Sequence, residues 1–122
     1  MTRILVIDDE APVRALIRQT LEEEGYFIGE AADGEEGLAA LQTMAAELII
    51  TDLFMPNKEG IETIRAVRKQ FPQIKILAIS GGGRHKLMNS LHEASRFGAH
   101  HTLAKPFTPD QLIEAVATVL AA

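Results

Sequence analysis

What most constrains this chain is a change of hydrophobic period that repeats along its length. Short, unbroken runs of branched aliphatic residues alternate with stretches whose apolar positions recur at helical spacing. Ile4-Leu5-Val6-Ile7, Leu48-Ile49-Ile50 and Ile76-Leu77-Ala78-Ile79 carry no polar side chain. A strand that is apolar on both faces must be covered on both, as in a parallel sheet between two helical layers. Tyr26-Phe27-Ile28 and Thr102-Leu103-Ala104 are weaker strand candidates.

The intervening stretches read as helices. Val13, Leu16, Ile17 and Leu21 share one face, with Pro12 suited to the opening turn and Gly25 to the stop. Asp33 is placed to cap a second helix that turns Leu38, Leu41 and Ala45 inward. Ile61, Ile64, Val67 and Phe71 form a third stripe, closed by Pro72, and Leu87, Leu91 and Ala94 a fourth. Thr108-Pro109-Asp110-Gln111 is a capping-box sequence with proline at the first helical position, and it leads into Leu112, Ile113, Val116 and Leu120. The pattern is strand then helix five times over, with no linker, repeat or low-complexity segment. Right-handed crossovers turn such a (βα)5 chain into an α/β three-layer sandwich around a five-stranded parallel sheet. At 122 residues the chain is expected to be a single domain, 1–122, with no output domain after Ala121-Ala122. A chain of this size buries roughly two-thirds of its unfolded surface and needs no staples.

Composition closes off several functions. The 12 Lys+Arg against 17 Asp+Glu leave a formal charge of -5, which argues against direct binding of a nucleic-acid backbone. The absence of cysteine excludes a disulfide scaffold, a thiol nucleophile and a cysteine-based zinc site, and is compatible with a reducing cytoplasm. Acidic residues follow the first apolar run too early for a signal-peptide core. No run approaches the roughly 20 apolar residues of a membrane span. A soluble, cytoplasmic protein without a membrane partner is expected.

In open α/β sheets, ligands sit beyond the carboxyl ends of the strands. Those ends here are Asp8-Asp9-Glu10, Thr51-Asp52, Ser80-Gly81 and Lys105-Pro106. Each has a plain reading taken alone. Asp9 or Glu10 favours a helix N-terminus, Asp52 precedes a turn with Pro56 and Gly60, Ser80 is a loop hydroxyl and Lys105 a surface lysine. Their coincidence on one sheet edge is the argument. Clustered carboxylates raise one another's pKa unless positive charge sits among them. A hard divalent cation meets that need, and Mg²⁺ prefers carboxylates, carbonyls and water. With the cation and Lys105 neutralising phosphoryl oxygens, one carboxylate can act as a nucleophile and become an aspartyl phosphate.

The ordered set Val6-Ile7-Asp8-Asp9-Glu10, Asp52-Leu53-Phe54-Met55-Pro56 with Gly60, Ser80-Gly81, Gly98-Ala99 and Lys105-Pro106-Phe107 resembles the receiver domains of bacterial response regulators. The resemblance runs from Ile4 to the last helix and implies a flavodoxin-like strand order 2-1-3-4-5. It implies that Asp52 is the phosphoacceptor of a two-component system. It makes Asp9 the direct ligand of Mg²⁺ (or Mn²⁺) beside Asp52, Asp8 a ligand acting largely through water, and the Phe54 backbone carbonyl the third protein ligand. By the same resemblance Ser80 hydrogen-bonds the attached phosphoryl group, Lys105 senses it, and the Lys105–Pro106 bond is often cis. The implied donor is a histidine kinase or phosphotransfer protein. The implied downstream partner is a protein bound on the fourth helix, fifth strand and fifth helix. The resemblance further implies a switch that promotes its own phosphorylation and dephosphorylation, not an enzyme acting on others.

Several positions depart from the family pattern. Thr102 stands three before Lys105, where an aromatic ring is common, and is too small to fill the cavity that such a ring enters. His101 is expected on the opposite face by strand alternation. The stretch from Ser80 to Gly98 is a few residues long for the family and opens on Gly81-Gly82-Gly83. That run is read as a loop that rearranges on phosphorylation or as a plain connection to a late-starting helix. It is not a P-loop, since no Gly-Lys-Ser/Thr follows. Phe54 and Gly82, two past Asp52 and Ser80, are expected to border the phosphate. His85, His92, His100 and His101 read as solvated surface, as does Arg84-His85-Lys86.

Two other classes fit these residues less well. A flavodoxin-like nucleotide binder would have to place an anionic cofactor against Asp8-Asp9-Glu10, and a haloacid-dehalogenase-type phosphatase wants a second aspartate where Phe54 stands. Retention of Asp8, Asp9, Asp52, Ser80 and Lys105 together argues against a degenerate receiver kept as a structural or dimerisation module, while Thr102 argues for unusual signalling.

Overall fold

The computed structural model describes residues 1–53, 60–80 and 98–122, with the Ser80 side chain outside that set. The elements run β1 (Arg3–Ile7), α1 (Ala11–Glu22), β2 (Phe27–Ala31), α2 (Gly34–Leu41), β3 (Leu48–Asp52), α3 (Gly60–Gln70), β4 (Lys75–Ser80), β5 (His101–Ala104) and a C-terminal helix (Pro109–Ala121). The five strands form one sheet in the order β2-β1-β3-β4-β5, and each neighbouring pair is parallel. This is the flavodoxin-like arrangement that the sequence implied. The fourth helical stripe, Leu87, Leu91 and Ala94, lies outside the described residues, as does the glycine run.

The unbroken apolar runs fill both faces of the sheet. Leu5, Ile7, Ile49, Ile76 and Ala78 pack with Leu41, Ile64 and Val67 on one side. Ile4, Val6, Leu48, Ile50, Leu77 and Ile79 pack with Ile17, Leu21, Leu112 and Val116 on the other. Alternate residues of a strand point to opposite faces, so a strand buried on both has no place for a polar residue until it ends. A fully buried Leu or Ile contributes about 1.5–3 kcal/mol, and these strands are lined with them. A one-residue slip in register would keep the core apolar but displace every strand end. Register therefore matters most at the carboxyl edge.

Local signals place the helices. Asp33 accepts from the Glu36 N–H at 2.9 Å, and the Glu36 side chain returns a bond to the Ala32 N–H. Thr108 and Gln111 form the reciprocal capping box. Gly25 closes the α1 turn at φ +92, a conformation that side chains resist.

Three expectations need correction. Leu16 is 49% exposed rather than inward, because the buried stripe of α1 centres on Ile17, Thr20 and Leu21. Ala45 is exposed. The chain tightens after Leu41, where the Gln42 and Thr43 N–H groups reach back only three residues, so helical spacing no longer applies and Met44 and Ala46 turn inward instead. Strand two starts one residue late and extends to Ala31. Pairing with β1 carries Gly29, Glu30 and Ala31 into the sheet despite their weak strand preference.

Candidate functional site

In the β1–β3 register Ile7 faces Thr51, so Asp8 and Asp52 come next, side by side, at the carboxyl edge. Ala104 faces Ser80 at the end of β5, which brings Lys105 to the same edge. The carboxylates of Asp8, Asp9, Glu10 and Asp52 each offer an oxygen, all within 4.8 Å of one another. Asp8 is 2% exposed and Asp52 5%, whereas Asp9 and Glu10 are open to solvent. The Lys105 ammonium sits among them, 3.1 Å from Asp8 Oδ2, 3.2 Å from Asp52 Oδ2 and 3.9 Å from Glu10 Oε1. Burial pulls the Lys105 pKa down, but the charges and hydrogen bonds of Asp52 and Asp8 outweigh it, and the net direction is up.

Asp8 is held through every hydrogen-bonding group it has. Its N–H donates to the Ala31 carbonyl at 3.1 Å, and its Oδ1 accepts from the Glu10 N–H at 2.8 Å. Its Oδ2 meets Lys105, and its carbonyl accepts from Arg14 Nη1 at 2.6 Å. Beyond Asp52, the Leu53 N–H donates to the Ile79 carbonyl at 2.9 Å and the Gly60 N–H to the Leu53 carbonyl at 3.1 Å. The start of α3 is thus tied directly to the residue that follows Asp52.

The donor set suits a hard divalent cation. It offers only oxygen, mostly as carboxylate, with two ligands anchored in the interior and two on the solvent side where water can complete a shell. One lysine against four acids leaves an excess of negative charge at the edge. Four of the expected site residues, Asp8, Asp9, Asp52 and Lys105, are brought together. The Phe54 carbonyl and the Ser80 side chain lie outside the described residues. Lys105–Pro106 is cis.

Two participants were not anticipated as site residues. Glu10 belongs to the acidic group, a place that the run Asp8-Asp9-Glu10 hinted at. Arg14 reaches back to Asp8, one helical turn after Glu10, and only the fold reveals its target. Thr102 pairs with Ala78, whereas His101 lines a groove with Leu103 and the C-terminal helix, so the two do lie on opposite faces. His101 is exposed. His100 is exposed as well but not idle: its Nδ1 accepts from the Ile76 N–H at 3.0 Å, and its backbone N–H donates to the Ile76 carbonyl at 2.8 Å. His85, His92 and the Arg84-His85-Lys86 cluster lie outside the described residues.

A parallel sheet with acids and a lysine gathered at its carboxyl edge defines a class, and residues 4–117 match that class as the response regulator receiver domain. The chain belongs to this family of two-component signalling modules. It is similar to Protein CcdB of Bacillus subtilis (strain 168), 36% identical over 121 residues that cover 98% of each chain. It is also similar to the transcriptional regulatory protein ResD of the same organism, 36% identical over 98% of this chain but 48% of the relative. Among solved structures it resembles the chemotaxis protein CheY4 of Vibrio cholerae, with a TM-score of 0.88, 33% identity and 98% of both chains covered. The chain thus spans nearly all of some relatives and about half of others. Among the described residues, no helix is long and apolar enough to cross a membrane.

Proposed function

We propose that this chain is a phosphoacceptor switch of a two-component system, with Asp52 as the residue that carries the phosphoryl group. The observation that carries the reading is the Lys105 ammonium set between Asp8 and Asp52 within a cluster of four carboxylates. The phosphoryl group comes from a phosphohistidine on a kinase or phosphotransfer protein. An Asp52 carboxylate oxygen forms a bond to phosphorus, the phosphorus–nitrogen bond breaks, and the electron pair stays with the imidazole leaving group, which keeps a proton. Asp8, Asp9, Asp52 and the Phe54 carbonyl are the ligands of Mg²⁺ or Mn²⁺, Asp8 largely through water. The bound cation supplies charge neutralisation for phosphoryl oxygens and Asp52 together.

The protein's own groups do the positioning. Burial fixes Asp52 in one orientation, and Lys105 is already within reach of the oxygens that a phosphoryl group would bring. Ser80, at the end of β4, donates its hydroxyl to the attached group. Phosphorylation adds about two negative charges and three acceptor oxygens at this edge. Movement of Ser80 and Lys105 toward them biases the surface formed by the fourth helical stripe, β5 and the C-terminal helix, where a protein partner binds. The module works in the cytoplasm without contacting nucleic acid or membrane, and its chemistry is confined to its own phosphorylation and dephosphorylation.

Incubation with acetyl phosphate and Mg²⁺, followed by intact-mass measurement, tests this. Wild type gains one acid-labile phosphoryl group and Asp52→Asn gains none. An adduct on both proteins moves the acceptor elsewhere, and an adduct on neither removes the phosphoacceptor role.

A further inference from the structure

The peptide joining Asp8 to Asp9 lies between elements. β1 ends at Ile7 and α1 begins at Ala11, so neither the strand ladder nor the helix's own hydrogen bonds reach it. Yet this peptide decides where the two adjacent carboxylates point. A peptide group is planar, so a bond on the Asp8 carbonyl also sets the direction in which the chain enters Asp9. Arg14 makes that bond, from the first turns of α1, at 2.6 Å. Its Nε meanwhile donates to Glu30 Oε1 on β2 at 3.1 Å. Glu30 is held in turn by Arg18, whose Nη1 donates to Glu30 Oε2 at 2.8 Å.

We propose that Arg14, anchored by Glu30, is a positioning residue for the divalent-cation site: it fixes the Asp8–Asp9 peptide so that both carboxylates address one ion. The inference rests on the metal-dependent reading of the site given above. A lone guanidinium this near the acids would oppose a second cation. Its pairing with Glu30 offsets that charge and leaves the geometric effect. Planar, forked donors suit this double duty, since one edge serves the carbonyl while another serves the carboxylate.

Isothermal titration of the full chain with Mg²⁺ tests the role, using wild type, Arg14→Ala, Glu30→Ala and Glu22→Ala, with metal-free thermal unfolding of each as the control for folding. Losing a partner that orients metal ligands typically weakens binding about tenfold, and that is the loss expected for Arg14→Ala, with a smaller loss in the same direction for Glu30→Ala. Glu22 pairs with Arg18 and removes the same charge as Glu30 without touching Arg14, so Glu22→Ala is expected to bind like wild type. Arg14→Ala that folds and binds Mg²⁺ with wild-type affinity overturns the proposal and leaves Arg14 a structural role only. If that variant does not fold, Glu30→Ala decides by the same criterion. Wild type without Mg²⁺ uptake overturns both this inference and the reading beneath it, whereas uptake that none of the variants alters overturns this inference alone.

Discussion

Lys105 meets two buried carboxylates at 3.1 and 3.2 Å, at the point where the ends of β1 and β3 would otherwise set like charges against each other. At about 4 Å and an effective dielectric of about 20, one unit pair interacts by ~4 kcal/mol, far above the ~0–1 kcal/mol of an exposed ion pair. Lys105→Met keeps most of the apolar stem and removes the charge. Without divalent cation it is expected to lower the free energy of unfolding by about 2 kcal/mol, less than the loss for a fully buried pair because Lys105 retains some exposure. The same change is expected to tighten Mg²⁺ binding, since the ammonium and the ion compete for the same oxygens. Urea unfolding with and without Mg²⁺ reads both effects, and equal stability in metal-free buffer would remove Lys105 from this account. Asp8, Asp9, Asp52 and Lys105 were all visible in the sequence, because each ends an apolar run and chain order alone puts those ends on one edge. Glu10 was hinted at by the same acidic run, but Arg14 was not, because what it touches depends on how α1 leans on β2.

Among the elements, the start of α3 lies most directly against Asp52, the proposed phosphoacceptor. Gly60 opens α3 where a Cβ would stand 2.4 Å from the Asp52 carbonyl oxygen and 2.4 Å from the Leu53 Cα. Both obstacles are backbone, so no change of side-chain rotamer relieves them. Gly60→Ala is expected to cost at least about 2 kcal/mol and to slow phosphorylation by displacing Asp52. Gly25→Ala offers the contrast. Open space surrounds that Cβ, only the positive φ resists it, and it is expected to cost about 1 kcal/mol with no change in phosphorylation rate. Thermal unfolding and the rate of acetyl-phosphate labelling separate the two, and equal labelling of both variants would count against the Gly60 argument. The caps at Asp33 and Thr108 were legible because capping is a contact over three residues. Ala45 does not turn inward because α2 ends at Leu41 and helical spacing stops there.

Across the whole molecule, parallel topology gathers the chemistry at one edge of the sheet and leaves the opposite edge to fasten the strands. His100 does this for β5, exchanging two hydrogen bonds with Ile76 at the start of β4. Partial shielding of the ring from water, then the positive charges of Arg68 and Lys75, push its pKa below the ordinary 6.5. Above that value the imidazole is neutral in folded and unfolded chains alike, and its contribution to stability is complete. As the pH falls, the unfolded chain takes up a proton first, so stability declines until the folded-state pKa is passed. A protonated Nδ1 also loses its place as acceptor from the Ile76 N–H. The unfolding midpoint of wild type is therefore expected to fall more steeply on acidification below pH 6.5 than that of His100→Asn, which keeps an acceptor oxygen and cannot titrate. Parallel curves for the two proteins would exclude His100 as the source.

Hydrophobic period, end caps and the chemistry of the strand ends are properties of neighbouring residues, and each could be read before any coordinates. They were enough for a five-stranded parallel sheet with acids and a lysine on its carboxyl edge. Partnerships between distant residues belong to another order of information. Glu10 joining the acids, Arg14 holding the Asp8 carbonyl, His100 pinning Ile76 and the extra residues of β2 all follow from strand register and from the side on which each helix packs. No local pattern carries those two quantities, because they are settled by how all the faces of the core are buried at once.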